Sequence, residues 1–163
     1  MDRKPLWAPW RMEFLTSDKP DGCVFCALPK ANDDRKNLIV HRGQRCFVIL
    51  NKYPYNNGHL MIVPTRHLAD FRQLDTDEGQ ELFALAQRSI EVLKQAYGPE
   101  GFNVGMNLGA AAGAGIRDHL HLHVVPRWNG DTNFLPVLAD VKAMPQHLET
   151  SYDQLAAIFG GAR

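Results

Sequence analysis

The chain has 163 residues, 45% of them apolar and 22% charged, with 18 basic residues balancing 18 acidic ones. That length suits one domain with a real hydrophobic core and is short for two. Zero net charge argues against a nucleic-acid or membrane-surface partner, and no stretch approaches the roughly 20 apolar residues of a membrane span.

Residues 1–22 carry Trp7 and Trp10 among prolines and charges without a steady period. They read as an irregular arm whose aromatics pack on the body or on a second subunit. The arm has no apolar run of signal-peptide type, so a cytoplasmic location is expected. Three cysteines, an odd number, do not make a disulfide scaffold. Cys23-Val24-Phe25-Cys26 reads first as half a zinc site and second as a redox pair, and Cys46 as a core residue. Residues 27–36 are polar and read as a loop.

Short β-type runs follow. Leu38-Ile39-Val40 and Cys46-Phe47-Val48-Ile49-Leu50 flank a hairpin-like break at Arg42-Gly43-Gln44. A turn cluster, Tyr53-Pro54-Tyr55-Asn56-Asn57-Gly58, leads into the strand His59-Leu60-Met61-Ile62-Val63-Pro64. A helix is predicted from Thr76, with Asp75 as N-cap and Glu78 completing a capping box. Its apolar face comprises Leu82, Leu85, Ala86, Ile90, Leu93 and Tyr97, and Gly98-Pro99 stops it. Phe102 to Asn107 alternates again, a small-residue loop runs from Gly109 to Gly115, and His119 to Arg127 is the strongest strand. A further strand near 134–141 and an amphipathic helix after Pro145 complete the chain, the helix burying Leu148, Tyr152, Leu155, Ile158 and Phe159. The fold class is α+β: an antiparallel sheet with one long central helix and a C-terminal helix, in a single domain over 1–163.

In His119-Leu120-His121-Leu122-His123, strand alternation sets three imidazoles on one face, roughly 7 Å apart, with leucines on the other. A chance histidine on a strand is ordinarily incidental; three in strict alternation define a working surface or groove. Histidine pairs of this spacing also bind metals, but the segment brings no carboxylate to the same face. The preceding loop, Asn107-Leu108-Gly109-Ala110-Ala111-Ala112-Gly113-Ala114-Gly115, holds no acid. Its glycines, Gly113 and Gly115 among them, suit a main-chain nest for an anion, which turns the reading toward phosphate chemistry.

His119-Leu120-His121-Leu122-His123-Val124-Val125 resembles the motif of the histidine triad (HIT) family. Asn51-Lys52-Tyr53-Pro54 leading to Gly58-His59, then Val63-Pro64-Thr65-Arg66-His67, and Asn107-x-Gly109 resemble it too. The likeness spans about 37–128 as the core. Leu6-Trp7-Ala8-Pro9-Trp10-Arg11 and Pro126 to Phe134 extend it toward a bacterial branch that contains diadenosine tetraphosphate phosphorylases, with 129–163 as a C-terminal extension. Many members carry Gly-Gln before the first histidine; Ala112-Gly113-Ala114-Gly115 stands there with one extra residue, a spacing similar to that branch. This leaves leaving-group stabilisation without an obvious side chain.

The resemblance implies a two-step transfer or hydrolysis of dinucleoside polyphosphates through a nucleotidyl-His121 intermediate. His123 would bind phosphate oxygens and protonate the leaving group, and Asn107 would donate to the same oxygens. Asn51 would hold the ribose hydroxyls, with His59 as a supporting turn residue near the nucleotide. Phe47 and Leu50 are candidate walls of a base pocket, although strand residues of this kind more often fill a core. The resemblance also completes the cysteine pair: Cys23, Cys26, His67 and His119 would form a closed structural zinc site. A homodimer is the expected assembly. Two other readings stay open: a nucleoside phosphoramidase, and a zinc-stabilised nucleotide-binding module without turnover.

Overall fold

A computed structural model describes residues 22–131 and 144–161. The aromatic arm at Trp7 and Trp10 and the strand expected near 134–141 lie outside the described residues. Within them the chain runs through α1 (Val24–Lys30), β1 (Ile39–Arg42), β2 (Cys46–Leu50), β3 (Leu60–Pro64), α2 (Thr76–Tyr97), β4 (Gly101–Gly105), β5 (Leu122–Arg127) and α3 (Leu148–Gly161). No helix among the described residues is long and apolar enough to cross a membrane.

The five strands form one antiparallel sheet in the order β1-β2-β3-β5-β4. β5, with the end of the histidine motif, therefore sits between β3 and β4 rather than at an edge. Alternation gives the sheet two dissimilar faces. Val48, Leu50, Leu60, Ile62, Leu122 and Val124 join Leu82, Val92 and Leu93 of α2 and Leu155 and Phe159 of α3 in the main core. Phe47, Ile49, Met61 and Val63 point the other way and are covered by Phe25 of α1.

α2 is the element most fully written in local sequence. Asp75 accepts from the Glu78 N–H at 2.8 Å, and the Glu78 carboxylate accepts from the Asp75 N–H at 3.1 Å. Gly98 ends it in the left-handed conformation at φ 55°. Glu81, on its outer side, receives the N–H groups of Gln44, Arg45 and Cys46 and so clamps the β1–β2 turn. A Cβ on Gly43 would lie 2.5 Å from Glu81 Oε1, which explains a glycine there. Gly58 is required twice over: its φ is +75°, and a Cβ would lie 2.9 Å from Leu93 Cδ2 and Tyr97 Cε2 of α2.

Two elements differ from the sequence reading. Residues 27–36 read as loop, yet the chain is helical through Lys30, with Pro29 inside the last turn. Main-chain bonds from Cys26 and Ala27 to the Cys23 carbonyl, 3.1 Å each, start this helix. Burial of Phe25 to 2% exposure anchors it, a tertiary gain that polar residues downstream do not reveal. The strand expected over His119–Arg127 begins only at Leu122. Continued pairing would set Leu120 opposite Pro64, which has no N–H to offer. The Leu120 N–H donates instead to Leu68 at 2.7 Å, and the Pro64 carbonyl is taken by the His119 side chain at 2.7 Å.

Candidate active site

His119, His121 and His123 are all buried, at 1%, 6% and 8% exposure, so the histidine face is enclosed. His119 turns toward α1, while His121 and His123 stay adjacent with ring centroids 4.8 Å apart. His59, fully buried, lies against His123 at 5.1 Å between centroids.

The hydrogen bonds determine which nitrogen of each ring carries a proton. His121 Nδ1 lies 2.9 Å from the His119 carbonyl, an acceptor only, so Nδ1 is protonated and Nε2 keeps its lone pair. His59 Nδ1 receives the Tyr55 N–H at 3.0 Å, and the Asn51 amide nitrogen lies 3.3 Å away. Nδ1 of His59 is therefore an acceptor and Nε2 a donor, placed 2.9 Å from His123 Nδ1. His123 Nδ1 accepts, which leaves its proton on Nε2. That nitrogen is buried and has no hydrogen-bond partner among the described residues. A lone pair on His121 and an unused N–H on His123 thus stand side by side, the pairing that displacement at a phosphorus requires.

Burial is the main cause of the pKa shifts. It pushes His59 down to about 3, helped by His123 and His121, and His123 down to about 4, helped by His121. Burial also holds His121 below the ordinary imidazole range, opposed by its bond to the His119 carbonyl. All three are neutral near pH 7, which keeps His121 nucleophilic. The same burial sets an acid limit on stability. Unfolded histidines take up protons below about pH 6.5. Folded His123 does so only near 4 and His59 only near 3. The unfolded chain then binds more protons, so stability is complete above about pH 6.5 and is lost progressively as pH falls through that window. Urea midpoints measured across it are expected to fall steadily; a flat profile would exclude neutral buried imidazoles.

The four residues expected to form a metal set come together. Their ligand atoms, from Cys23, Cys26, His67 and His119, all lie within 4.8 Å of one another. Cys23 Sγ and Cys26 Sγ are 3.2 and 3.5 Å from His119 Nδ1, and Cys26 Sγ is 3.4 Å from His67 Nδ1. Two thiols and two imidazoles at such separations fit a tetrahedral ion with metal–sulfur bonds of about 2.3 Å and metal–nitrogen bonds of about 2.0 Å. His119 donates from Nε2 to the Pro64 carbonyl, which frees Nδ1 for a metal, the usual outer support of a ligating histidine. Burial and the neighbouring Cys23 push the Cys26 thiol up, a cost that a bound cation offsets.

The remaining expected residues separate. Asn51 is committed to the protein: its Oδ1 accepts from the Tyr53 N–H at 2.9 Å and its amide faces His59. His59, expected near the nucleotide, is fully buried, with its Nε2 2.9 Å from His123 Nδ1. Phe47 lies on the histidine side of the sheet, with Phe25 and Met61. Leu50 does not: opposite Leu60, it faces α2 in the main core and so is no wall of a pocket beside the histidines. Asn107 is half-buried, and Gly113 and Gly115 are exposed on the loop before the motif. The Gly113 N–H is bonded to the Ala110 carbonyl at 3.0 Å, so this loop conformation uses internally a donor expected to face an anion. The sequence reading missed Phe25, whose ring lies 5.2 Å from that of His121, and Tyr55, whose ring stacks 5.7 Å from that of His123. In the sequence Phe25 has no mark beyond its position between two cysteines, and Tyr55 none beyond a turn.

The chain is 41% identical over 160 residues to a Mycobacterium tuberculosis protein named AP-4-A phosphorylase, an alignment covering 93% of this chain and 82% of that one. Its fold is similar to that of a zinc-bound histidine triad family protein from Mycobacterium smegmatis, with a TM-score of 0.69 and 28% identity over 86% of this chain and 94% of the other. A protein described as a hypothetical histidine triad nucleotide-binding protein from Sulfolobus tokodaii gives 0.66 and 27%, covering 83% and 88%. The HIT domain model matches residues 32–130, and the chain belongs to the HIT family.

Proposed function

We propose that this chain is a nucleotidyl-transferring enzyme acting on dinucleoside polyphosphates, with phosphorolysis of diadenosine tetraphosphate as its reaction. The observation that carries the reading is the complementary pair of nitrogens: an unprotonated Nε2 on His121 beside an unpartnered Nε2–H on His123. The 41% identity to the mycobacterial AP-4-A phosphorylase supports the choice of substrate.

In the first step His121 Nε2 attacks the α-phosphorus, the bond to the bridging oxygen breaks, and ATP leaves. The His123 N–H donates a hydrogen bond to the phosphate oxygens as negative charge grows there, and the bridging oxygen departs as an ATP oxyanion. In the second step inorganic phosphate attacks the adenylyl-His121 adduct and releases ADP, restoring the free imidazole. His59 keeps the His123 proton on the nitrogen that faces the substrate.

Cys23, Cys26, His67 and His119 would hold zinc. Zinc there supplies a structural cross-link between α1, the segment after β3 and the start of the histidine motif. A reducing cytoplasm suits the reading, since it keeps the Cys23 and Cys26 thiols available to metal.

The test is product analysis with diadenosine tetraphosphate, with and without inorganic phosphate. ADP plus ATP, formed only with phosphate, is the expected result. AMP plus ATP without phosphate would make the protein a hydrolase. No turnover under either condition would reject the dinucleotide reading in favour of a phosphoramidase or a binding module.

A further inference from the structure

α1 is anchored differently at its two ends. At the C-terminal end Asn37 donates to the Leu28 carbonyl at 2.9 Å and Arg42 to the Pro29 carbonyl at 2.8 Å. At the N-terminal end Cys23 is the cap residue but makes no side-chain capping bond. That turn is held through sulfur, by the contacts of Cys23 and Cys26 with His119 and His67. Phe25 stands between the two cysteines, 2% exposed, on a seat formed by Phe47, Ile49, Met61 and Val63.

From that seat Phe25 touches the site. Its ring meets His119 edge-on, at 5.6 Å and 83°, and His121 at 5.2 Å and 56°. The hydrogen bond from His121 Nδ1 to the His119 carbonyl fixes one nitrogen but leaves the ring plane free to swing about that bond. Two rings pack against it and limit this freedom: Phe25, and His123 at 4.8 Å and 75°. An attacking nitrogen displaced by about an ångström loses rate steeply.

We propose that Phe25 is a positioning residue for the nucleophile, and that metal binding by Cys23, Cys26, His67 and His119 seats Phe25 and thereby orients the His121 ring. This deepens the proposed reaction and rests on it for the kinetic effect, while the ring orientation stands independently of substrate. The metal set and the nucleophile are then one mechanical unit, linked by the packing of Phe25 as well as by the chain between His119 and His121.

The experiment compares the zinc-loaded full chain with Phe25→Ala and Phe25→Leu. It reads bound zinc, kcat and KM for diadenosine tetraphosphate with phosphate, and the NMR signal of the His121 ring in histidine-labelled protein without substrate. Phe25→Ala is expected to keep its zinc and to lose kcat by on the order of 10- to 100-fold, while KM stays within about twofold. Its His121 signal should broaden or split, as the ring samples several orientations. Phe25→Leu, which refills most of the volume, should restore most of kcat and a single signal. Chelating zinc from the parent should broaden the same signal, with little added effect in Phe25→Ala.

A raised KM at unchanged kcat, with the His121 signal unmoved, would overturn the proposal and make Phe25 a wall of the nucleotide pocket. A sharp His121 signal after chelation of the parent would overturn the link to the metal. Should the parent not turn over this substrate, the proposed reaction fails, but the His121 signal still decides the role of Phe25. Should Phe25→Ala not fold, Phe25→Leu and chelation of the parent carry the same decision.

Discussion

His121→Asn is expected to reduce turnover of diadenosine tetraphosphate by on the order of 10^4-fold or more, with almost no change in stability. The asparagine amide reaches roughly where Nδ1 stands and can keep donating to the His119 carbonyl, so the buried acceptor stays satisfied. What disappears is the lone pair, and with it the adenylyl adduct. Single-turnover incubation with labelled substrate should trap label on the parent protein and none on the variant. His123→Asn supplies the contrast: the nucleophile survives, the adduct still forms, and the rate falls by about 10^2- to 10^3-fold because one donor to the phosphate oxygens is lost. A His121→Asn protein that turned over within about tenfold of the parent would mean that phosphate attacks directly, and the two-step scheme would be abandoned.

Removal of the metal should produce the second large effect, on stability. The purified protein is expected to carry zinc in a 1:1 ratio, since four ligand atoms lie within 4.8 Å of one another. A ligand that binds only the folded state and stands about 1,000-fold above its dissociation constant contributes roughly 4 kcal/mol. For a chain of this size that corresponds to a fall in Tm on the order of 10 °C on chelation, recovered when zinc is returned. The loss should begin locally. The first turn of α1 is tied to the body through Cys23 and Cys26, so hydrogen exchange should accelerate there before it does in β2 or β3. Cys26→Ser should match the chelated protein in Tm. A chain purified without metal, whose Tm ignores both chelator and zinc, would rule out the metal assignment and leave a thiol–imidazole cluster.

The sites of these two effects differ in how plainly they appear in the sequence. The period of two that sets His121 and His123 on one face and Leu122 and Val124 on the other is a property of an extended chain, and it survives folding unchanged. α2 is equally local: Asp75, Glu78 and Gly98 satisfy its ends from within a few residues, so its bounds follow from the chain alone. The metal set belongs to an intermediate class. Cys23 and Cys26 announce half a site by their spacing. His67 and His119 enter only through resemblance, because nothing local links them to Cys26, which lies 41 and 93 residues away.

The sequence by itself determined that His121 and His123 share one face, the helix that backs the sheet, and the thiol pair, since each rests on interactions between near neighbours in the chain. Tertiary structure decided the rest. It closed the histidine row into a buried cluster, which sets the imidazoles neutral through desolvation. It ended pairing at Pro64, so that His119 swings out to the cysteines while its carbonyl holds His121. It also turned an apparent loop into α1 and set Phe25 against His121, because burial against β2 and β3 outweighs what residues 27–36 prefer alone. Such contacts join positions that are far apart in the chain, and the free energy that selects them comes from excluding water between elements, a quantity no local pattern contains.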